Sequence, residues 1–191
     1  SVCPSCGGSG QTILSRGPGS DSNGMLNSEE TVLINIPAGV EEGMQLKVSG
    51  KGNDSNNPNG ISGDLLVLIE ESTDNNFTRE GKHLHYDLYI SISEAALGVS
   101  KDIHLIDGKV RIKLESGIQS GKTLRLRNKG IPDLNGYSKG DLLVHVNIWT
   151  PKTLNKKQKD FFKEMLGDDN FRPNPNKTDK SFFEKVRDMF A

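Results

Sequence analysis

The feature that most constrains this chain is that it writes one stretch twice. Ile36-Pro37-Ala38-Gly39-Val40-Glu41-Glu42-Gly43-Met44-Gln45-Leu46-Lys47-Val48-Ser49-Gly50-Lys51-Gly52 is echoed by Glu115-Ser116-Gly117-Ile118-Gln119-Ser120-Gly121-Lys122-Thr123-Leu124-Arg125-Leu126-Arg127-Asn128-Lys129-Gly130. Gly39, Gly43, Leu46 and Gly52 recur as Gly117, Gly121, Leu124 and Gly130, each 78 positions on. Gly63-Asp64-Leu65-Leu66-Val67 returns as Gly140-Asp141-Leu142-Leu143-Val144, 77 positions on, so the copies differ by one loop residue. A period this long is one domain copied once, not the roughly 20–50-residue unit of a solenoid.

Each copy reads strand, glycine-bounded turn, strand, polar loop, strand, with glycines where turns ask for positive φ. The Gly-Asp-Leu-Leu-Val run is expected to close each small sheet. In the first copy residues 65–69 are continuously apolar, the pattern of a strand covered on both faces. In the second, Leu142, Val144, Val146 and Ile148 alternate with Leu143, His145, Asn147 and Trp149, the pattern of a half-buried strand. The expected fold is mainly β: two tandem duplicated β-sandwich-like domains followed by C-terminal helices.

The 191 residues are enough for one or two domains, and 33% hydrophobic with 6% aromatic content asks for small aliphatic cores. A net charge of −1 gives no electrostatic reason to expect nucleic acid as a partner. No apolar run approaches the roughly 20 residues of a membrane span. No stretch reads as a signal peptide, the abrupt start at Ser1 suggests a fragment, and the cytoplasm is the expected default setting. Two cysteines do not make a disulfide framework.

Cys3-Pro4-Ser5-Cys6-Gly7-Gly8-Ser9-Gly10 is a C-x-x-C-x-G-x-G element. Two thiolates so spaced reach one metal, but structural zinc wants four ligands, so Cys3 and Cys6 read as half of a site. A redox pair is the weaker reading, because such thiols sit at a helix N-terminus and here glycines follow. Residues 15–27 are turn-rich and read as a linker.

Residues 31–36 read as a strand on which Val32, Ile34 and Ile36 alternate with Thr31, Leu33 and Asn35, stopped by Pro37. Leu46 and Val48 carry the next strand. The clearest half-buried strand sets Leu84, Tyr86, Leu88, Ile90 and Ile92 against His83, His85, Asp87, Tyr89 and Ser91. Its histidines are read as solvated rather than as metal ligands, because no third ligand is in view.

A short helical turn over 93–98 is expected between a Ser93 cap and Gly98. Asp107-Gly108 signals a two-residue hairpin. After Pro151 the pattern becomes helical: Asn155 with Gln158 resembles a capping box, and Leu154, Phe161, Phe162, Met165 and Leu166 line one side. Ser181 begins a last helix with Phe182, Phe183, Val186, Met189 and Phe190 on one stripe. Terminal helices this apolar either pack back on the second sheet or meet another subunit.

These residues carry a resemblance to the DnaJ co-chaperones, the forty-kilodalton heat-shock proteins. The resemblance rests on the C-x-x-C-x-G-x-G knuckle, the Ile-Pro-Ala-Gly-Val to Gly-Lys-Gly stretch and the two Gly-Asp-Leu-Leu-Val runs. Ala95-Ala96-Leu97-Gly98, Asp107-Gly108-Lys109-Val110 and Lys180-Ser181-Phe182-Phe183 add to it, all in order over nearly the whole chain.

The resemblance implies a partial zinc knuckle over 1–14, a linker over 15–30, an incomplete client-binding C-terminal domain over 31–77, a second C-terminal domain over 78–152 and a helical dimerisation region over 153–191. In that family four knuckles pair into two zinc sites; where the last would stand, Ser20-Asp21-Ser22-Asn23-Gly24-Met25 holds no cysteine. The His-Pro-Asp of the family's ATPase-stimulating J-domain is absent, since none of the four histidines precedes a proline.

By resemblance the client pocket is lined by Val32 and Val67, with Ile34, Leu46 and Ile69 beside them. Leu154, Phe161, Phe162 and Met165 are the candidates for a homodimer contact. The implied role is a stress-response chaperone, not an enzyme, that holds unfolded polypeptides for a DnaK-type ATPase chaperone, with zinc in the full-length protein. Two other readings stay open: an assembly module whose β-domains only space the helices, and a C-x-x-C thiol-disulfide enzyme acting through Cys3 and Cys6.

Overall fold

The computed structural model describes residues 2–4, 6, 10, 12, 15, 17–21, 25–55, 60–134 and 136–175. The chain divides into two compact units, Ser1–Ser72 and Thr73–Ala191. The apolar stripe expected at Phe182, Phe183, Val186, Met189 and Phe190 lies outside the described residues.

In the first unit β1 (Gln45–Val48) pairs antiparallel with β2 (Leu65–Leu68), with Leu46 opposite Val67. In the second unit β3 (Phe77–Glu80), β4 (His83–Ser91), β7 (Thr123–Leu126) and β8 (Leu142–Trp149) form one sheet in the order β3-β4-β8-β7. The contact between β4 and β8 is parallel and the other two are antiparallel. Between β4 and β7 the chain makes α1 (Ile92–Leu97) and a hairpin of β5 (Val99–Leu105) and β6 (Gly108–Leu114).

The duplication survives hydrogen bond by hydrogen bond. Leu46 faces Val67 as Leu124 faces Val144. Gly43 donates to the Ile69 carbonyl at 3.0 Å, and Gly121 to that of Val146 at 2.8 Å. Gly52 donates to the Gly63 carbonyl at 2.8 Å, and Gly130 to that of Gly140 at 2.9 Å. The left-handed backbone that Gly50 adopts at φ 68° is met in the second copy by Asn128 at φ 59°, the non-glycine type that tolerates this region best.

The core belongs to the second unit. Leu84, Leu88 and Ile90 of β4 and Leu142, Val144 and Val146 of β8 pack with Ala95 of α1, Ile103 of β5, Ile112 and Leu114 of β6, and Ile118. The hairpin thus forms a second layer over the sheet, giving that unit its sandwich character. In the first unit no described hydrophobic residue is fully buried.

Several expectations need correction. Residues 31–36 form no strand, although Val32 and Ile34 are half-buried and Leu33 is exposed; a strand needs a ladder partner, and none of the described residues gives them one. Residues 65–68 are covered on one face only, because Leu66 and Leu68 are exposed. The second Gly-Asp-Leu-Leu-Val strand does not close its sheet but runs inside it, between β4 and β7.

The cap of α1 is Ser91, which forms a capping box with Glu94, and Ile92 opens the helix instead of extending β4. The hairpin turn is Ile106-Asp107, with Gly108 already in β6 at φ 109°. The capping box of Asn155 and Gln158 forms as expected at the start of α2 (Lys156–Met165), and a short 3-10 turn follows at Asp169–Phe171.

Candidate functional site

Two β-modules written from one pattern allow a comparison within a single chain. Leu65, Val67 and Ile69 of the first copy correspond to Leu142, Val144 and Val146 of the second. The latter three are completely buried: β8 has β7 on one edge and β4 on the other, and α1 and the β5–β6 hairpin pack over its inner face. Leu65, Val67 and Ile69 are only half-buried, and among the described residues β1 is the one strand paired with β2. An open strand edge beside partly covered aliphatic side chains offers both ladder hydrogen bonds and apolar contact to an extended chain.

The expected pocket residues fall as follows. Leu46 and Val67 are direct cross-strand partners, and the Ile69 amide donates to the Met44 carbonyl at 2.8 Å, one step beyond the register. Val32 and Ile34 lie in the unpaired segment before β1; Lys51 bonds Glu30, fixing the start of that segment near the β1–β2 connection. At that end of the pair Asp64 accepts from the Gly50 amide at 2.9 Å and meets Lys47 Nζ at 2.6 Å. The hydrogen bond from Lys47 and then that from Gly50 hold the Asp64 carboxyl below the usual carboxylate range.

The candidate dimer residues sit on and before α2, a helix with no buried residue. Leu154, Phe162 and Met165 line one groove of about 450 Å³ with Leu166 and Phe171. Leu154, Phe161 and Phe162 line another of about 460 Å³ with Trp149, Pro151 and Ile92. Phe161 is 50% exposed and its ring stands edge-on to Phe162, 5.5 Å between centroids. Leu154 and Phe162 therefore form the ridge between two apolar grooves.

Cys3 is exposed and Cys6 partly so, and neither is in a disulfide. Among the described residues no group of three or more His, Cys, Asp or Glu side chains could hold a metal ion. Two thiols do not satisfy the four-ligand requirement of structural zinc, so the described residues alone do not fit that ion.

The reading of His83 and His85 as solvated also needs correction. The His83 Nδ1 accepts from the Asp141 amide at 3.0 Å, and His85 bonds both Glu80 and His145. Sequence reasoning missed His145 because it stands 60 residues from His85 and shares its face only through the parallel β4–β8 register. The available signal was a histidine on the polar side of each alternating strand.

A duplicated β-module with one partly open copy, followed by an amphipathic helix with no buried residue, is the architecture to set beside known proteins. The family model for the DnaJ C terminal domain matches residues 11–151. The chain is 44% identical over 188 residues to a chaperone protein DnaJ of Bacteroides thetaiotaomicron, covering 98% of this chain and 43% of that protein. It is 39% identical over 192 residues to one of Salinibacter ruber (100% and 46%) and 41% over 195 residues to one of Psychrobacter arcticus (99% and 51%). This chain belongs to the DnaJ C-terminal domain family, and it spans about half the length of these chaperone relatives. None of its described helices is long and apolar enough to cross a membrane.

Proposed function

We propose that the chain is the client-holding part of a DnaJ-type co-chaperone, binding non-native polypeptides at the first unit for transfer to a DnaK-type ATPase chaperone. The observation that carries the reading is the contrast between equivalent positions. Leu65, Val67 and Ile69 are half-open where Leu142, Val144 and Val146 are sealed, and among the described residues β2 has one paired edge where β8 has two. An extended client would add to the β2 edge through main-chain bonds, which read no sequence, and place an aliphatic side chain among Val32, Ile34, Leu46, Val67 and Ile69.

One such contact is weak, since burying a single aliphatic side chain gives about 1.5–3 kcal/mol. A homodimer formed through Leu154, Phe161, Phe162 and Met165 would offer two sites to one client and gain roughly 10²–10⁴ in avidity. A C2 contact uses the same patch on both subunits, which suits an amphipathic helix with an apolar stripe and no buried residue. Cys3 and Cys6 would contribute two of four zinc ligands, the other two coming from another segment.

A labelled aliphatic peptide, titrated by fluorescence anisotropy, tests the reading. Val67→Asp should weaken binding about tenfold or more, while the circular dichroism spectrum stays that of the native chain. Equal affinity of the variant, or no binding by the native chain, would leave the assembly-module reading standing. Insulin reduction that disappears in Cys6→Ser would instead favour thiol chemistry.

A further inference from the structure

The outer face of the second unit's sheet carries a polar line that crosses all four strands. Thr123 Oγ1 of β7 lies 3.1 Å from His145 Nδ1 of β8. His145 Nε2 lies 2.9 Å from His85 Nδ1 of β4, and His85 Nε2 lies 2.8 Å from Glu80 Oε2 of β3. The imidazoles are nearly parallel, 6° apart, with centroids separated by 5.2 Å. With ring nitrogens 2.9 Å apart, the two rings meet edge to edge rather than face to face.

Donor and acceptor rules fix the direction of this line. An ionised carboxylate only accepts, so His85 donates from Nε2 and its Nδ1 must accept. His145 then donates from Nε2, its Nδ1 accepts, and the Thr123 hydroxyl supplies that proton. Every polar atom of the line is satisfied with both rings neutral.

One added proton fits: it goes to His145 Nδ1, and the Thr123 hydroxyl turns to accept. A second has only His85 Nδ1, where it would face the His145 Nε2–H across 2.9 Å. The charged and titratable neighbours on this face are Glu80 of β3, His83, Asp87 and Tyr89 of β4 and Arg125 of β7, while β8 brings Asn147, which donates to Asp87 at 3.1 Å. Arg125 is engaged by Asp141.

We infer that His85 and His145 act as one proton-operated latch between β4 and β8, closed with no or one extra proton and forced open by two. The latch acts on a ladder that leads elsewhere. The parallel pairing runs from Leu84 with Leu142 to Ser91 with Trp149. Ser91 caps α1, and both Ser91 and Trp149 line the groove beside Leu154 and Phe161. Opening the latch would therefore loosen the wall of the α2 groove under acid conditions, whatever partner that groove takes.

The test is nitrogen-15 NMR of the full chain labelled at histidine, with exposed His104 as the internal reference. At neutral pH both rings should be Nε2–H tautomers with a measurable nitrogen–nitrogen coupling between His85 and His145. The coupling should survive uptake of one proton and vanish with the second. At that point amide exchange in β4 and β8, referred to the β5–β6 hairpin, should rise about tenfold or more. His145→Gln keeps a donor for His85 Nδ1 but has no site for a proton, so its acid response should be less than about twofold. An Nδ1–H tautomer in either ring, absence of the coupling, or an undiminished acid response in His145→Gln would overturn the latch.

Discussion

Asp64 and Asp141 hold the same turn in the two copies. Asp64 accepts from the Gly50 amide and pairs with Lys47; Asp141 accepts from the Asn128 amide at 2.9 Å and pairs with Arg125 at 2.5 Å. The partners are displaced by 78 residues and the aspartates by 77, so the one-residue slip is absorbed in the loop between them. The carboxylate therefore ties the end of one strand to the start of the next in both units.

The bond from Asn128 and then that from Arg125 hold the Asp141 carboxyl below its ordinary value. A carboxyl lowered by folding stabilises the native state at pH above the unfolded value, near 3.8, and that contribution is lost as pH falls through the native value. Asp141→Asn should lower stability at neutral pH and flatten its fall in acid, read from urea unfolding at several pH values. Asp64→Asn should do the same more weakly, because the Asp64 side chain is 34% exposed and that of Asp141 8%.

Gly140 and Gly63 are equivalent in sequence but not in space. A Cβ on Gly140 would come within 1.8 Å of the Lys82 carbonyl oxygen, whereas one on Gly63 meets nothing nearer than Asn53 O at 3.6 Å. Gly140→Ala should cost about 3 kcal/mol or more, since backbone must move, and Gly63→Ala less than about 1 kcal/mol. Denaturant midpoints of the two variants decide the point.

Leu142 and Leu65 make the same comparison for packing. Leu142→Ala, at a completely buried position, should cost about 2–5 kcal/mol. Leu65→Ala, half-buried, should cost about half as much or less. Similar losses at both sites would mean that the first unit is as tightly sealed as the second, and the client-binding reading would fall with that result.

The surface around α2 is tested by size-exclusion chromatography with light scattering. The intact chain should run as a dimer, and a chain ending at Thr150, as well as the variant Phe162→Asp, as a monomer. Asn155→Ala removes the capping box and should cost the helix about 1 kcal/mol, shifting the dimer toward monomer at low concentration. Dimers that persist in all three would place the contact elsewhere.

Much of this fold was legible in the sequence because its signals are local. Alternation marked β4 and β8, Asp107 and Gly108 marked the hairpin, and Asn155 with Gln158 marked the start of α2. The errors arose where a partner decides the outcome. Residues 31–36 have strand-like alternation but no ladder partner among the described residues, and Leu66 and Leu68 are apolar yet exposed. For the candidate client residues, the family resemblance named the positions and the repeat showed which of them correspond, but neither stated how far each is buried.

The sequence by itself determined that one module occurs twice, with its glycine turns in each copy, because turn geometry is written in neighbouring residues. Only the tertiary structure decided that Val144 is sealed while Val67 stays half-open, and that His85 meets His145. Burial depends on which strands flank a residue and which layer covers its face, a cross-sheet contact depends on register, and all of these are properties of chain segments far apart in sequence.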